Sequence, residues 1–168
     1  MPADRPEAPP QSARDVTVRD VPVDVVLPLW HRILRERVPF EVAQARHAAI
    51  DTLPGTRHFA AFDGDTVVGV VTTFPEDTPL APGRRGEHFR GMAVDDAYRG
   101  AGIGRLLMRA VVDAARSRGA EVLWANGRDT ALGFYERIGF RVVGDGFVDD
   151  EMHLEHHVVL AGVGEVTV

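Results

Sequence analysis

The hydrophobic positions of this chain change period several times, and each change marks an element. Residues 15–20, DVTVRD, alternate and predict a short strand. Within residues 25–38, Val26, Leu29, Trp30, Ile33 and Leu34 recur at helical spacing. Asp24 is the expected N-cap, and Pro28 is expected near the first turn or at a kink. Residues 40–50, FEVAQARHAAI, predict a second, shorter helix that LPG at 53–55 breaks. TRHFAAFDGDTVVGVVTTF reads as a β-hairpin, with strands at 56–62 and 66–74 and Asp63-Gly64-Asp65 as its turn. Residues 75–86, PEDTPLAPGRRG, form a loop. Residues 87–95, EHFRGMAVD, form a strand whose internal Gly91 predicts a bulge.

The strongest helix follows the glycine-rich stretch YRGAGIGRLLMRA. Ile103, Leu106, Leu107, Ala110, Val111 and Ala114 mark its apolar face, Arg105, Arg109, Asp113 and Arg116 its polar face, and Gly119 stops it. Residues 120–126, AEVLWAN, read as a buried strand. Residues 130–138 read as a short helix capped by Asp129 or Thr130 and ended by Gly139; residues 139–148 and 151–160 are the last two strands. The order is β–α–α–β–β–β–α–β–α–β–β. Hairpins that lead into one β–α–β crossover imply an α/β (α+β) class with a mixed, mostly antiparallel central sheet and helices on both faces. The expected organisation is a single domain over 14–160, a disordered tail at 1–13 and a C-terminal tail at 161–168.

Composition narrows the chemistry. The 168 residues include no cysteine, which removes disulfides, thiolate metal sites and thiol nucleophiles. Serine occurs only at Ser12, in the tail, and Ser117, on a helix surface, which disfavours a covalent acyl-enzyme. The formal net charge of −6 argues against nucleic acid as a partner and is compatible with a cationic substrate. All 19 basic residues are Arg, so no side chain here can be acetylated on Nε. No apolar run approaches the ~18 residues of a membrane span, and the charged, proline-rich start is no secretory signal. The expected compartment is the cytoplasm, with no membrane partner.

The glycines at the mouth of the best helix carry the chemistry. A strand, a Gly-rich turn and a helix start form an anion site, because the first helical N–H groups lack intrahelical partners and the helix dipole adds positive charge there. Without lysine the run is no P-loop, and its spacing is not the dinucleotide G-x-G-x-x-G. It matches R-G-x-G-[IV]-[GA] as Arg99-Gly100-Ala101-Gly102-Ile103-Gly104, with MAVDDAYRG before it and FYERIGF after it. With these segments the chain resembles the GNAT family of acyl-CoA-dependent N-acyltransferases, in element order from about residue 15 to residue 160 and in specific motif from 89 to 140.

The resemblance implies a GNAT-like acyl-CoA-binding fold, with acetyl-CoA as co-substrate and no metal. It places the coenzyme pyrophosphate on the amides of Arg99, Gly100, Ala101, Gly102, Ile103 and Gly104, and the pantetheine arm along Met92, Ala93 and Val94. Gly91 fits the bulge that splays this strand from the next. The family commonly shows an Asn ahead of its Tyr-containing helix; either Asn126 or Arg128 takes that coenzyme contact here. Tyr135 matches the tyrosine that faces the coenzyme sulfur and is the expected acid. Glu87 and His88 are both candidate bases, and strand alternation turns only one of them to the cleft.

In HLEHH, His153, Glu155 and His157 share a strand face, yet His153 and His157 stand about 13 Å apart at ~3.3 Å per residue, too far for one ion. Solvated positions or substrate contact are expected there, and His31, His47 and His58 form no constellation. The expected activity is direct acetyl transfer to a primary amine of a small molecule or peptide. A non-catalytic acyl-CoA-binding sensor or subunit is the alternative, and a longer acyl donor a third reading. A homodimer is an expectation of the resemblance alone.

Overall fold

Strands rich in Val, Phe and Thr send side chains alternately to two faces, so the sheet they build needs cover on both. The structure, a computed structural model, describes residues 15–168. The predicted tail at 1–13 lies outside the described residues. In chain order the elements are β1 (Val16–Val21), α1 (Val23–Leu34), α2 (Phe40–Asp51), β2 (Arg57–Asp63), β3 (Thr66–Pro75), β4 (Gly86–Val94), α3 (Ile103–Ser117), β5 (Val122–Arg128), α4 (Leu132–Arg137), β6 (Arg141–Val148) and β7 (Glu155–Gly162). They form one seven-stranded sheet of order β1-β2-β3-β4-β5-β7-β6. Only the β4–β5 pair is parallel, because α3 carries the chain back across the sheet between them. The mixed, mostly antiparallel sheet with helices on both faces is therefore as the pattern predicts.

The two faces hold two cores. Leu107, Met108 and Val111 of α3 pack with Phe59, Val71, Phe89 and Leu123 on one side. Val26, Leu29 and Trp30 of α1 pack with Ala60, Val70 and Ala93 on the other. The second helix, α2, buries only Ala43 and His47. A string of polar groups helps to hold it: Asp51 pairs with His47 at 3.3 Å and His58 at 3.0 Å, and the other nitrogen of His58 meets the Thr72 hydroxyl at 2.8 Å.

Several expected boundaries shift, each for a nameable reason. Helix α1 starts on Pro22 rather than on Asp24 as its cap, and it stops at Leu34 rather than at 38, where Arg35 leaves helical geometry. Pro28 lies inside it with its ring exposed. Neither Asp129 nor Thr130 caps α4, since Asp129 is engaged by His157 at 2.7 Å and a 3₁₀ turn, Asp129–Ala131, precedes the helix. Strand β7 begins at Glu155, not 151, because the Asp149 carboxylate accepts the N–H groups of Met152 and Leu154 and folds residues 149–154 into a turn.

Residues 161–168 are not a tail. Ala161 and Gly162 finish β7, Val163 and Val166 are buried against the α3 side, and the Thr167 N–H donates to the Ile138 carbonyl at 2.9 Å. The apolar valines have a core to enter, which a sequence pattern of eight residues does not reveal. Among the described residues no helix is long and apolar enough to cross a membrane.

Leu107 is fully buried at the centre of the α3 side. Leu107→Ala is expected to cost about 2–5 kcal/mol, the range for emptying a well-packed site. Urea unfolding should show this as a lower midpoint at unchanged slope.

Candidate active site

Strands β4 and β5 pair only through Gly86, Glu87 and His88, against Val122, Leu123 and Trp124. Beyond His88 they part, while β5 stays paired with β7 as far as Arg128. The parting has a local cause. The β3–β4 register slips between Val70 and Thr72, and Gly91 sits at φ 62 in the slip. A Cβ on Gly91 would stand 3.0 Å from the Trp30 ring, so α1 presses on the bulge from behind. The result is a cleft of about 770 Å³ that runs between the strands to the start of α3.

At the α3 end the glycine loop lines the cleft. Gly102 is the N-cap in the left-handed region, φ 87, and brings no side-chain cap. Among the described residues, the N–H groups of Gly100, Gly102, Ile103, Gly104 and Arg105 have no protein acceptor. Two of the six amides expected to face an anion are spent internally: Arg99 donates to Asp96 at 3.4 Å and Ala101 to Tyr98 at 3.2 Å. Ala101 packs against the core and does not line the cleft, although the Arg99 side chain does. The free donors thus run one residue further, to Arg105. Five unspent amides at a helix start fit a pyrophosphate.

Met92, Ala93 and Val94 line the middle of the cleft, and no strand pairs with β4 there on the β5 side. His88 faces the cleft beyond the bulge. Its ring stacks on Trp124, centroids 3.8 Å apart, and its Nδ1 is 2.6 Å from the Glu76 carboxylate. Burial holds the His88 imidazole below its usual pKa, against the opposing pull of Glu76. The ring is therefore neutral at neutral pH. Nδ1 is tied to Glu76, and Nε2 has no protein partner among the described residues.

Glu87 is corrected as a base candidate. It is fully buried on the opposite face, where Oε1 accepts from the Thr73 hydroxyl at 2.8 Å and from Arg118 at 3.2 Å. Burial raises its pKa, and its carboxylate ties β4 to the end of α3. Strand alternation allowed only one of the pair into the cleft, and the open side belongs to His88.

Tyr135 lines the opposite wall, in contact with Phe89, Phe134 and Phe140, with ring centroids 5.3–5.8 Å away. Burial pushes its phenol above the usual value, so it is protonated at neutral pH. Asn126 and Arg128 also line the cleft, on the same face of β5 as Trp124. Arg128 donates to the Leu34 carbonyl at 3.0 Å, which fixes it at the end of α1 rather than beside the glycine loop.

The HLEHH stretch does not share one strand face, because His153 lies in the turn before β7 with φ 55. His156 reaches the cleft, stacked on Phe147. His47 and His58, which showed no constellation by spacing, meet at Asp51 outside the cleft lining. Among the described residues no group of three or more His, Cys, Asp or Glu side chains is placed to hold a metal.

Sequence reasoning missed Glu76, Arg35 and Arg90. Glu76 sits in the loop whose pattern carries no period. Arg90 had one available signal, since it is in phase with His88 on β4.

With this geometry in view, the comparisons identify the chain. The model for the acetyltransferase (GNAT) family matches residues 26–140, and the chain belongs to that family. It is 25% identical over 143 residues to the uncharacterized N-acetyltransferase YitI of Bacillus subtilis strain 168, spanning 85% of this chain and 93% of that protein. The structure of a GCN5-related N-acetyltransferase from Kribbella flavida is 25% identical and aligns with a TM-score of 0.67 over 90% of this chain and 99% of that one. An aminoglycoside 6'-N-acetyltransferase, solved as a complex with coenzyme A, shares the fold at 16% identity, with a TM-score of 0.66 over 88% of this chain and 97% of that one.

Gly100 has a positive φ and open space around its Cα, so Asn and Asp fit there at similar strain. If the free amides bind an anion, Gly100→Asp should weaken coenzyme A by about tenfold or more through repulsion, while Gly100→Asn should leave affinity within a few-fold. Calorimetry on the two folded variants checks this; equal affinities would remove the anion from the loop.

Proposed function

We propose that this protein transfers the acetyl group of acetyl-CoA directly to a primary amine of a small molecule or peptide. The observation that carries the reading is one cleft with free helix-start amides at one end and a neutral, carboxylate-oriented histidine at the other. Acetyl-CoA supplies a thioester. The amides of Gly100, Gly102, Ile103, Gly104 and Arg105 hold its pyrophosphate, and the unpaired edge of β4 from Met92 to Val94 holds its extended arm.

The acceptor arrives as an ammonium with a pKa near ~10 and must lose a proton before it can attack. His88 takes that proton at Nε2, directly or through water, while Glu76 fixes the tautomer and stabilises the imidazolium. The backbone beside the bulge, near Met92 and Ala93, faces the carbonyl oxygen as it gains charge. Tyr135 returns a proton to the leaving sulfur. The absence of cysteine and of a cleft serine supports direct transfer over an acyl-enzyme. Free-thiol release from acetyl-CoA with an amine panel tests the reading, and coenzyme binding without release would favour a non-catalytic binding module instead.

The pH dependence has a definite sign. A lowered pKa keeps His88 unprotonated down to pH values below 6.5, so the acid limb of kcat/KM should lie below pH 6.5. His88→Gln should remove that limb and depress the rate most at low pH. The rate should recover as alkali deprotonates the amine unaided. A Gln variant with the wild-type profile would place the base elsewhere.

Tyr135→Phe keeps the ring and its aromatic contacts, so its melting temperature should hold. Positioned acids contribute ~10²–10⁴-fold, and a thiolate leaving group calls for the low end. Steady-state kinetics should therefore show kcat falling by about a hundredfold with coenzyme affinity intact. Unchanged turnover would leave Tyr135 as a packing residue.

A further inference from the structure

Three arginines gather at one end of the cleft in a protein of net charge −6. The Leu34 carbonyl, at the C-terminus of α1, accepts from Arg35 Nη1 at 2.9 Å and from Arg128 Nη2 at 3.0 Å. Two guanidinium groups therefore converge on one oxygen, held by the negative end of the helix dipole. Arg90 lines the same cleft, between His88 and the Gly91 bulge. Among the described residues its side chain has no hydrogen bond or ion pair, although Glu151, Asp51 and Glu76 attract it from further off.

The carboxylates around these cations are already engaged. Glu151 is shared by Arg35 at 2.9 Å and Arg46 at 3.3 Å. Asp51 serves His47 and His58, Glu76 serves His88, and Asp149 accepts two backbone N–H groups. Arg90 and Arg128 are both held below the usual guanidinium pKa, by burial first and then by repulsion from Arg35. Arg90 and Arg128, half-buried, repelled by Arg35 and without an ion pair of their own, cost free energy that the more distant carboxylates of Glu151, Asp51, Glu76 and Asp149 only oppose. An incoming anion removes that cost.

The coenzyme phosphates are not that anion. Arg90 lies upstream of the bulge, four residues or about 13 Å of strand before Val94, whereas the free amides begin at Gly100. The α1 face of β4 and β5 carries His88, Arg90 and Arg128 together, so an anion here sits beside the base and next to the reacting amine.

We propose that the acceptor is a primary amine that also carries a compact anionic group, a carboxylate or a phosphate, gripped by Arg90 with Arg35 and Arg128. The fork of each guanidinium matches either anion. The proposal deepens the acetyltransferase reading and rests on it. It also reverses the cationic substrate that the net charge suggests, since the local field outweighs the distant acidic surface.

The test uses the full chain, acetyl-CoA and matched acceptors: α-amino acids against their carboxamides, and glucosamine 6-phosphate against glucosamine. Thiol release should give the anionic member of at least one pair about tenfold or more higher kcat/KM, the worth of one charged hydrogen-bond pair. The pair that responds identifies the anion. Arg90→Met should raise KM for the preferred acceptor and bring the ratio within its pair toward one, whereas Arg90→Lys should keep part of the preference. Melting curves should show both variants folded. A neutral member that equals or beats its anionic partner in every pair overturns the proposal.

Calorimetry of the same acceptors against protein saturated with coenzyme A separates the two readings. Arg90-dependent binding without thiol release keeps the anion pocket and overturns the transferase. Release with neutral amines and no anion preference does the reverse. No binding by any anionic member overturns the pocket.

Discussion

The site depends on one break in the sheet. β4 and β5 are parallel neighbours for three residues and then separate, although backbone groups in a sheet interior are normally paired. The slip against β3, the left-handed Gly91 and the Trp30 ring behind it hold the strands apart. Both sides of the break are braced. α3 and its core close one face, α1 and its smaller core the other, and only the end of α1 and the start of α3 line the gap. A strand edge is left open in the sheet interior, the geometry that strand addition by an extended ligand uses.

The same break arranges charge. One end of the cleft is positive through backbone amides at a helix start, the other through guanidinium groups at a helix end. In the same cleft stand two groups kept neutral by burial, the imidazole of His88 and the phenol of Tyr135. Neutral acid and base groups can exchange protons with substrates while the cationic ends bind and orient. Glu76 and Leu34 are the quiet partners of this layout. One aims a ring, and the other gathers two arginines.

Much of this was legible before the fold was seen. The strand–glycine–helix junction is local chemistry, and the structure leaves free amides there at Gly100, Gly102, Ile103, Gly104 and Arg105, while Arg99 and Ala101 spend theirs in turns. Tyr135 was singled out by its place in a motif, and it lines the cleft. Glu87 and His88 could not be separated, because alternation says that neighbours face oppositely and not which face is open. Asn126 and Arg128 were alternatives for one coenzyme contact; both line the cleft, and the carbonyl that holds Arg128 lies 94 residues away. The C-terminal valines looked like a tail because the core that buries them belongs to α3 and α4.

By itself the sequence determined the elements, their order and the glycine-rich turn at the head of α3. Helical and strand periods and glycine conformations act within a few residues, so they are written where they operate. Tertiary structure alone decided that β7 enters between β5 and β6, that His88 rather than Glu87 meets the cleft, and that Arg35, Arg90 and Arg128 gather beside it. These outcomes turn on strand register, on which face a helix covers, and on hydrogen bonds between distant segments. Such contacts form only when the whole sheet is assembled, and no local pattern encodes them.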